Sequence, residues 1–312
     1  MLQCTVAVAG GSIPPGFHYV SIAMTLFSSR SIQHCDSEAA ELAAFIDEHP
    51  RLTVLTGAGI SADSGIPTYR DASGQWLPAT PIQHQEFIAD ARKRQRYWSR
   101  SLIGWPAIRD ARPNAAHLAL TQLENMGAIE LLITQNVDRL HQRAGSINVI
   151  DLHGRLDRVI CMDCKANIAR QQVQQELEKL NPGMSYISSQ SRPDGDADIA
   201  DALVAQVRIP ACAHCAGVLM PDVVFFGGTV PKRRVQQCMT ALSESDALVI
   251  IGSSLKVYSG YRFCRRASEL KKPLILINPG TTRADNLAER KFTSDCATLL
   301  QQSIEQIRAW HD

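Results

Sequence analysis

Leu52 to Arg70 reads LTVLTGAGISADSGIPTYR, and this stretch decides the fold. Leu52, Thr53, Val54 and Leu55 are apolar or β-branched and suit a buried strand. The chain then breaks at Gly57-Ala58-Gly59 and runs through small polar residues to Gly65-Ile66-Pro67. A strand, a glycine turn and a helix start make a phosphate cradle. Glycines let the backbone approach a pyrophosphate, and free N–H groups at the helix start donate to it. Gly57, Gly59 and Ala62 satisfy the G-x-G-x-x-G/A spacing of dinucleotide sites. A tight glycine turn of this kind also occurs without any ligand.

A second stretch, residues 131–145, reads LLITQNVDRLHQRAG: again an apolar strand, here running into Gln135, Asn136 and Asp138. The strand-like VIDL comes next and ends on His153-Gly154. Taken in order, these motifs resemble those of the sirtuins, NAD-dependent protein-lysine deacylases with the signatures GAGxSxxSGIPxFR, TQNxDxLHxxAG and HG. The likeness runs over roughly residues 38 to 300.

Working outward, 312 residues of which 45% are hydrophobic can bury a core. At about 100–200 residues per domain, one large and one smaller domain are expected. A formal net charge of +1 argues against a nucleic-acid partner. No apolar run reaches the roughly 20 residues that span a bilayer, so no membrane partner is expected. Residues 1–36 read as a flexible extension with a single formal charge in residues 1–35, Arg30, or as an overlong start with Met24 the initiator. They lack the basic n-region of a signal peptide.

The nine cysteines are an odd set containing two C-x-x-C pairs, Cys161/Cys164 and Cys212/Cys215. Two such knuckles supply four thiolates for tetrahedral zinc in a reducing compartment. The zinc would be structural, because no coordination position remains for water. The alternative is two unrelated pairs of buried or redox cysteines. Residues 155–221 therefore read as a small zinc-binding domain, with a helix-like QQVQQELEKL and a mobile polar loop, SRPDGDAD. The short apolar runs DVVFFG from Asp222, ALVIIG from Ala247 and LILIN from Leu274 read as strands of one buried parallel sheet. The expected fold is α/β: a Rossmann-like doubly wound parallel sheet over 37–154 and 222–312, with the zinc-ribbon domain inserted. By resemblance, a helical insertion at about 78–113 lies over the pocket.

The resemblance implies roles. Gly57, Ala58, Gly59 and Ser61 would hold the pyrophosphate of NAD. Pro67, Thr68, Tyr69 and Arg70 would close over the nicotinamide ribose. Gln135, Asn136 and Asp138 would meet ribose hydroxyls and the carboxamide. Ligands of open α/β sheets bind at strand carboxyl ends, so Gly252-Ser253-Ser254 and Asn278-Pro279-Gly280 are candidates for ribose and adenine. Cys296 falls at the adenine edge, though its chemistry alone reads as a core cysteine. An aspartate such as Asp138 at a strand end is also a common helix cap.

His153 is the catalytic candidate, with Asn136 serving nicotinamide displacement. A histidine beside an apolar strand is commonly structural; here Gly154 leaves room for substrate, and imidazole accepts protons near neutrality. In sirtuins the acyl-lysine carbonyl displaces nicotinamide, and the acyl group passes to ADP-ribose. An extended acyl-lysine peptide would lie between Val224-Phe225-Phe226-Gly227 and the Ser254–Val257 edge, which includes Leu255. The implied protein is a monomer acting on acyl-lysine proteins, cytoplasmic or in the mitochondrial matrix of a eukaryote. A nicotinamide dehydrogenase or an NAD-sensing module would release no nicotinamide.

Three departures stand out: Tyr69 replaces the family's Phe, Arg155 comes after His153-Gly154, and Gly228 replaces a common Glu. With GYRF after GSSLKVYS, they resemble the class II branch and leave ADP-ribosyl transfer open. Tyr97 and Arg100 share a helix face. Sirtuins that remove carboxylate-bearing acyl groups resemble this chain there, with a Tyr and an Arg at that spacing. The resemblance implies a pocket for acidic or bulky acyl groups. The alternative is that Arg100 is one more solvated charge beside Arg92, Lys93, Arg94 and Arg96.

Overall fold

The computed structural model describes residues 37–68, 81–184 and 191–311. Tyr69 and Arg70, and the whole extension before residue 37, lie outside them. A helix over residues 37–48 (α1) leads into β1 (Leu52–Thr56), whose five residues are all buried. Beyond β1 the chain forms a 3₁₀ helix, Ala58–Ser64, closed by Gly65 at φ 80°. Ala-Asp-Ser-Gly cannot sustain a longer helix, because Ser and Asp compete for the backbone and Gly65 turns it left-handed.

The parallel strands are β1, β2 (Ile129–Thr134), β3 (Val149–Asp151), and, after the small sheet, Ala247–Ile251, Leu274–Ile277 and Arg290–Phe292. In chain order 1 to 6 they lie 3-2-1-4-5-6, all parallel. This is the doubly wound order with its switch point between β1 and Ala247–Ile251, where ligands bind beyond the strand ends. The short final strand has no counterpart among the strands expected from sequence.

Alternation along β1 sends Val54 to one face and Leu55 to the other. Leu42 and Ile46 of α1, Leu120 and Leu123 of the helix Ala115–Asn125, and Leu299 and Ile304 of Cys296–His311 cover the Val54 face. Cys238 and Leu242 of Lys232–Glu244, with Phe263 and Ala267 of Tyr258–Glu269, cover the other. Both faces of the sheet are dry, which is why its strands read as unbroken apolar runs.

A second, antiparallel sheet joins β4 (Gly154–Cys161), β5 (Asn167–Ala169) and Leu219–Val223. Here the strand expected from Asp222 to Gly227 is corrected. The strand ends at Val223 and belongs to the small sheet; beyond it Phe226 makes one isolated parallel bridge to Gln83, and Gly228 N–H donates to Phe225 O at 2.9 Å. Leu219 and Val159 bury against Trp98 and Leu102, so this run is apolar because of the insertion helix and not the main sheet.

The insertion is two helices, His84–Ala89 and Ala91–Asp110, broken at Asp90, whose carboxylate caps Arg92 N–H. The polar loop SRPDGDAD has regular structure. It forms a hairpin of Ser191–Arg192 with Asp196–Ala197 against the second helix, where a Cβ on Gly104 would come within 2.5 Å of Asp196 O. Among the described residues no helix is long and apolar enough to cross a membrane.

At the switch point Gly59 N–H donates to Gly252 O at 2.8 Å, and a Cβ on Gly59 would lie 2.8 Å from Gly252 Cα. Gly59→Ala must push the two loops apart, an overpacking that costs about 1–3 kcal/mol. Thermal unfolding should show a lower Tm than wild type, together with weaker dinucleotide binding.

Candidate functional site

One cavity of ≈ 1310 Å³ opens at the carboxyl ends of the parallel strands, between the main sheet, the insertion and the Arg192–Asp196 hairpin. Its floor is the glycine contact just described. The spacing of Gly57 and Gly59 predicts phosphate donors, but their N–H groups already donate to Ile251 O and Gly252 O at 3.0 and 2.8 Å. The glycines serve close approach instead: a Cβ on Gly57 would sit 2.7 Å from Ser253 Cβ. Gly57 does not line the cavity, whereas Ala58, Gly59, Ser61, Pro67 and Thr68 do.

The polar floor is one hydrogen-bonded chain. Asn136 Nδ2 donates to Gly57 O at 3.1 Å and Ser61 Oγ at 3.0 Å, and Ser61 O–H donates to Asp138 Oδ2 at 2.8 Å. Asp138 Oδ1 accepts from Leu140 N–H at 2.9 Å, so this aspartate caps a helix turn and lines the cavity at once. Burial raises its carboxyl above the ordinary range. Ser253 O–H donates to Gln135 Oε1 at 2.6 Å, joining the second strand end to the fourth. Gly252, Ser254, Asn278, Pro279, Gly280 and Cys296 complete the far end. Asn278 Nδ2 is turned back on Gly280 O at 2.8 Å. Burial pushes the Cys296 thiol up to about 12.

His153 stands just beyond the third strand and is held at both nitrogens. Nδ1 lies 2.8 Å from Gln135 O and Nε2 lies 2.7 Å from Ser259 Oγ. A carbonyl only accepts, so Nδ1 carries the hydrogen and Nε2 is the base. Burial lowers the imidazole to about 4, assisted by the charges of Arg234 and Arg262 and opposed by the Gln135 bond. Gly154, at φ 88°, is required beside it, since a Cβ there would meet Asp222 O at 2.1 Å. Sequence reasoning does not reach Ser259: no spacing links it to His153, 106 residues away.

Val224, Phe225, Phe226, Gly227, Leu255 and Val257 all line the cavity. Val224 N–H donates to His153 O at 2.7 Å, so this edge starts at the base itself. Phe226 O already accepts from His84 N–H at 2.8 Å, which leaves one fewer acceptor for an added strand. Phe225 stacks on Phe87 at 4.8 Å and meets Tyr97 edge-on at 5.4 Å, an aromatic wall. Tyr97 lines the cavity, and burial pushes its phenol up to about 12.

Arg100 does not share that pocket, which corrects the Tyr97–Arg100 pairing. Its Nε lies 2.6 Å from Asp196 Oδ1 and 2.7 Å from Ala197 O, and its side chain is 8% exposed. The hairpin between the two cysteine pairs captures the guanidinium before any acyl carboxylate reaches it. In its place the cavity wall shows Arg192, itself 2.8 Å from Asp198, and the carboxyls of Asp194 and Asp196.

Away from the cavity, the sulfurs of Cys161, Cys164, Cys212 and Cys215 lie within 4.8 Å of one another, with contacts of 3.5 and 3.7 Å. Zn–S bonds of about 2.3 Å in a tetrahedron put sulfurs about 3.8 Å apart, so the set fits a structural zinc.

Fold and site define a dinucleotide-binding α/β enzyme with an appended four-cysteine module. A profile of the Sir2 family matches residues 57–259, and the chain belongs to that family. It is 51% identical over 259 residues to an NAD-dependent protein deacetylase of Xanthomonas campestris pv. campestris (strain 8004), covering 83% of this chain and 88% of that one. The NAD-dependent protein lipoamidase sirtuin-4, mitochondrial, of Bos taurus is 45% identical, with 83% and 84% covered. Among solved structures, a Sir2–p53 peptide–NAD+ complex aligns with TM-score 0.68 and 29% identity, over 85% of this chain and 97% of that one.

Metal analysis of the purified protein should find about one zinc per chain, and Cys161→Ala should lose it and unfold at lower temperature, because zinc binding is folding free energy. Arg100→Met should lower Tm by depriving Asp196 and Asp198 of their buried cation, while the ratio of glutaryl to acetyl turnover stays at its wild-type value.

Proposed function

We propose that the protein is an NAD-dependent protein-lysine deacylase that consumes NAD and releases nicotinamide, free lysine and O-acyl-ADP-ribose. The observation that carries this reading is His153: a neutral imidazole, held at Nδ1 by Gln135 O and at Nε2 by Ser259, that lines the same cavity as the Ser61–Asn136–Asp138 chain. NAD would lie across the switch point, with its pyrophosphate at Ala58, Gly59 and Ser61 and its adenosine end at Ser253, Ser254, Asn278 and Cys296. Gln135, Asn136 and Asp138 would hold the nicotinamide riboside, under a cover that includes Pro67 and Thr68.

The acyl-lysine carbonyl displaces nicotinamide, and His153 then accepts the proton of a ribose hydroxyl so that the acyl group moves to it. The peptide backbone would enter between residues 224–227 and 254–257. Every group the reaction needs is on one chain, which supports a monomer. Four reduced thiols favour a reducing compartment, the cytoplasm or mitochondrial matrix. Residues 155–221 would act as the separate small domain that carries the zinc.

The acyl chamber favours uncharged chains. Its wall combines Phe225 and Tyr97 with Asp194, Asp196 and an Arg192 that is already paired with Asp198, and Arg100 is paired with Asp196. Removal of a long neutral chain such as lipoyl is a second reading. The size of the cavity and the name of the bovine relative favour it.

A panel of acetyl-, lipoyl- and glutaryl-lysine peptides, followed by mass spectrometry, tests this. Neutral acyl groups should be removed with matching nicotinamide release. His153→Ala should lose about 10²-fold or more in deacylation while still binding NAD. With the imidazole lowered to about 4 from 6.5, the base is already neutral throughout pH 6 to 8, so kcat/KM should show no acid limb near 6.5. ADP-ribosylated protein without deacylated peptide would overturn the reading.

A further inference from the structure

A serine hydroxyl faces the catalytic base. Ser259 stands in the first turn of the helix Tyr258–Glu269, where serine commonly caps its own backbone. This helix has no side-chain cap bond at its N-cap, Val257, and the serine hydroxyl lies 2.7 Å from His153 Nε2. The next residue keeps the turn close to the end of β2: a Cβ on Gly260 would fall 2.5 Å from Gln135 Nε2, the tip of a side chain that would have to move aside. Ser259-Gly260 thus brings a hydroxyl to the one ring nitrogen that must do the chemistry.

That nitrogen has a difficult task. His153 is half-buried and partly desolvated, and the nearby charges of Arg234 on one helix and Arg262 on the other both disfavour the imidazolium. Among the described residues no carboxylate accepts from the ring: Nδ1 is bound to a carbonyl and Nε2 to Ser259. A base that takes a proton here needs an acceptor for the new N–H, and a hydroxyl, unlike a methyl or a proline ring, is both donor and acceptor.

We propose that Ser259 is a positioning residue for His153, holding the imidazole in register before proton transfer and accepting from its Nε2–H afterwards. In the free enzyme the Ser259 O–H donates to the Nε2 lone pair and fixes the ring plane together with Gln135 O. The serine hydroxyl first turns its hydrogen off the single Nε2 lone pair, the ribose hydroxyl gives its proton to that lone pair, and the serine oxygen then accepts from the new imidazolium N–H. Ser259 keeps its own hydrogen throughout, so the proton balance is ribose oxygen to Nε2 alone. A hydrogen bond to a charged group is stronger than one between neutral groups, so the contact favours the protonated base more than the neutral one.

The inference rests on the deacylase reading, and the experiment separates the two. Nicotinamide is displaced before the base acts, so exchange of labelled nicotinamide into NAD reports the step that His153 does not serve. Deacylation turnover reports the step that it does serve. Ser259→Ala should lower deacylation kcat by about tenfold to a hundredfold, the range of one hydrogen bond to a charged group. KM for NAD and the exchange rate should stay at wild-type values. Ser259→Thr should restore most of the turnover. In a His153→Ala background, Ser259→Ala should cost nothing further, because its only route to the reaction is the imidazole.

Three results would overturn the proposal: Ser259→Ala turning over at the wild-type rate, exchange falling in step with deacylation, or an additive loss in the double variant. A wild type that releases no deacylated peptide would overturn both readings. A wild type silenced by His153→Ala and indifferent to Ser259→Ala overturns this one alone.

Discussion

The site depends on one steric constraint, the contact of two glycine loops where the sheet changes direction. Gly59 N–H reaches Gly252 O across the switch point, and a Cβ on Gly252 would lie 2.5 Å from Ile60 N. With side chains there, β1 and the strand Ala247–Ile251 could still pair, since their register is set by Leu52↔Ala247 to Thr56↔Ile251. The loops beyond them could not close. Ser61, Asn136 and Asp138 hang from one side of that contact and Ser253 from the other. The glycines therefore act through shape, and hydrogen bonding to a ligand falls to the polar chain above them.

The buried strands are legible in the sequence because burial on both faces leaves mainly apolar and β-branched side chains, with Glu130 the single charged residue. Leu52–Thr56, Ile129–Thr134, Ala247–Ile251 and Leu274–Ile277 all carry that mark. The four cysteines are legible because a metal demands a fixed donor type at fixed spacing. Asp222–Gly227 misleads because an apolar run records burial without recording the partner. The strand that it extends packs on Trp98 and Leu102 of the insertion helix, far away in sequence. Arg290–Phe292 escapes notice for the opposite reason: an edge strand with an exposed arginine and a half-buried lysine carries little apolar signal.

Side-chain partners are the least legible part. Tyr97 and Arg100 do share a helix face, as their spacing requires. The spacing cannot reveal that Asp196 and Ala197, almost a hundred residues later, occupy the same face. Nor can it reveal that Ser259 closes on His153, since one hydroxyl among many serines bears no pattern. Local periodicity reports which way a side chain points, and only the tertiary fold reports what it meets.

The hairpin at Arg192–Asp198 carries that difference into the chemistry of the acyl chamber. It belongs by sequence to the segment between the two cysteine pairs, yet it packs on the insertion helix, where Gly104 gives it room against Asp196 O. From there it pairs Arg100 with Asp196 and brings Asp194, Asp196 and the Asp198-paired Arg192 to the cavity wall. Burial, with Asp196 nearby, pushes the Asp194 carboxyl up to about 7, so this wall stays less charged at neutral pH than its composition implies. An acyl chain reaching Phe225 and Tyr97 would therefore meet aromatic rings and the partly protonated carboxyl of Asp194, and a terminal carboxylate would meet no unpaired arginine at position 100. The four-cysteine module holds the two ends of this segment together through Cys164 and Cys212.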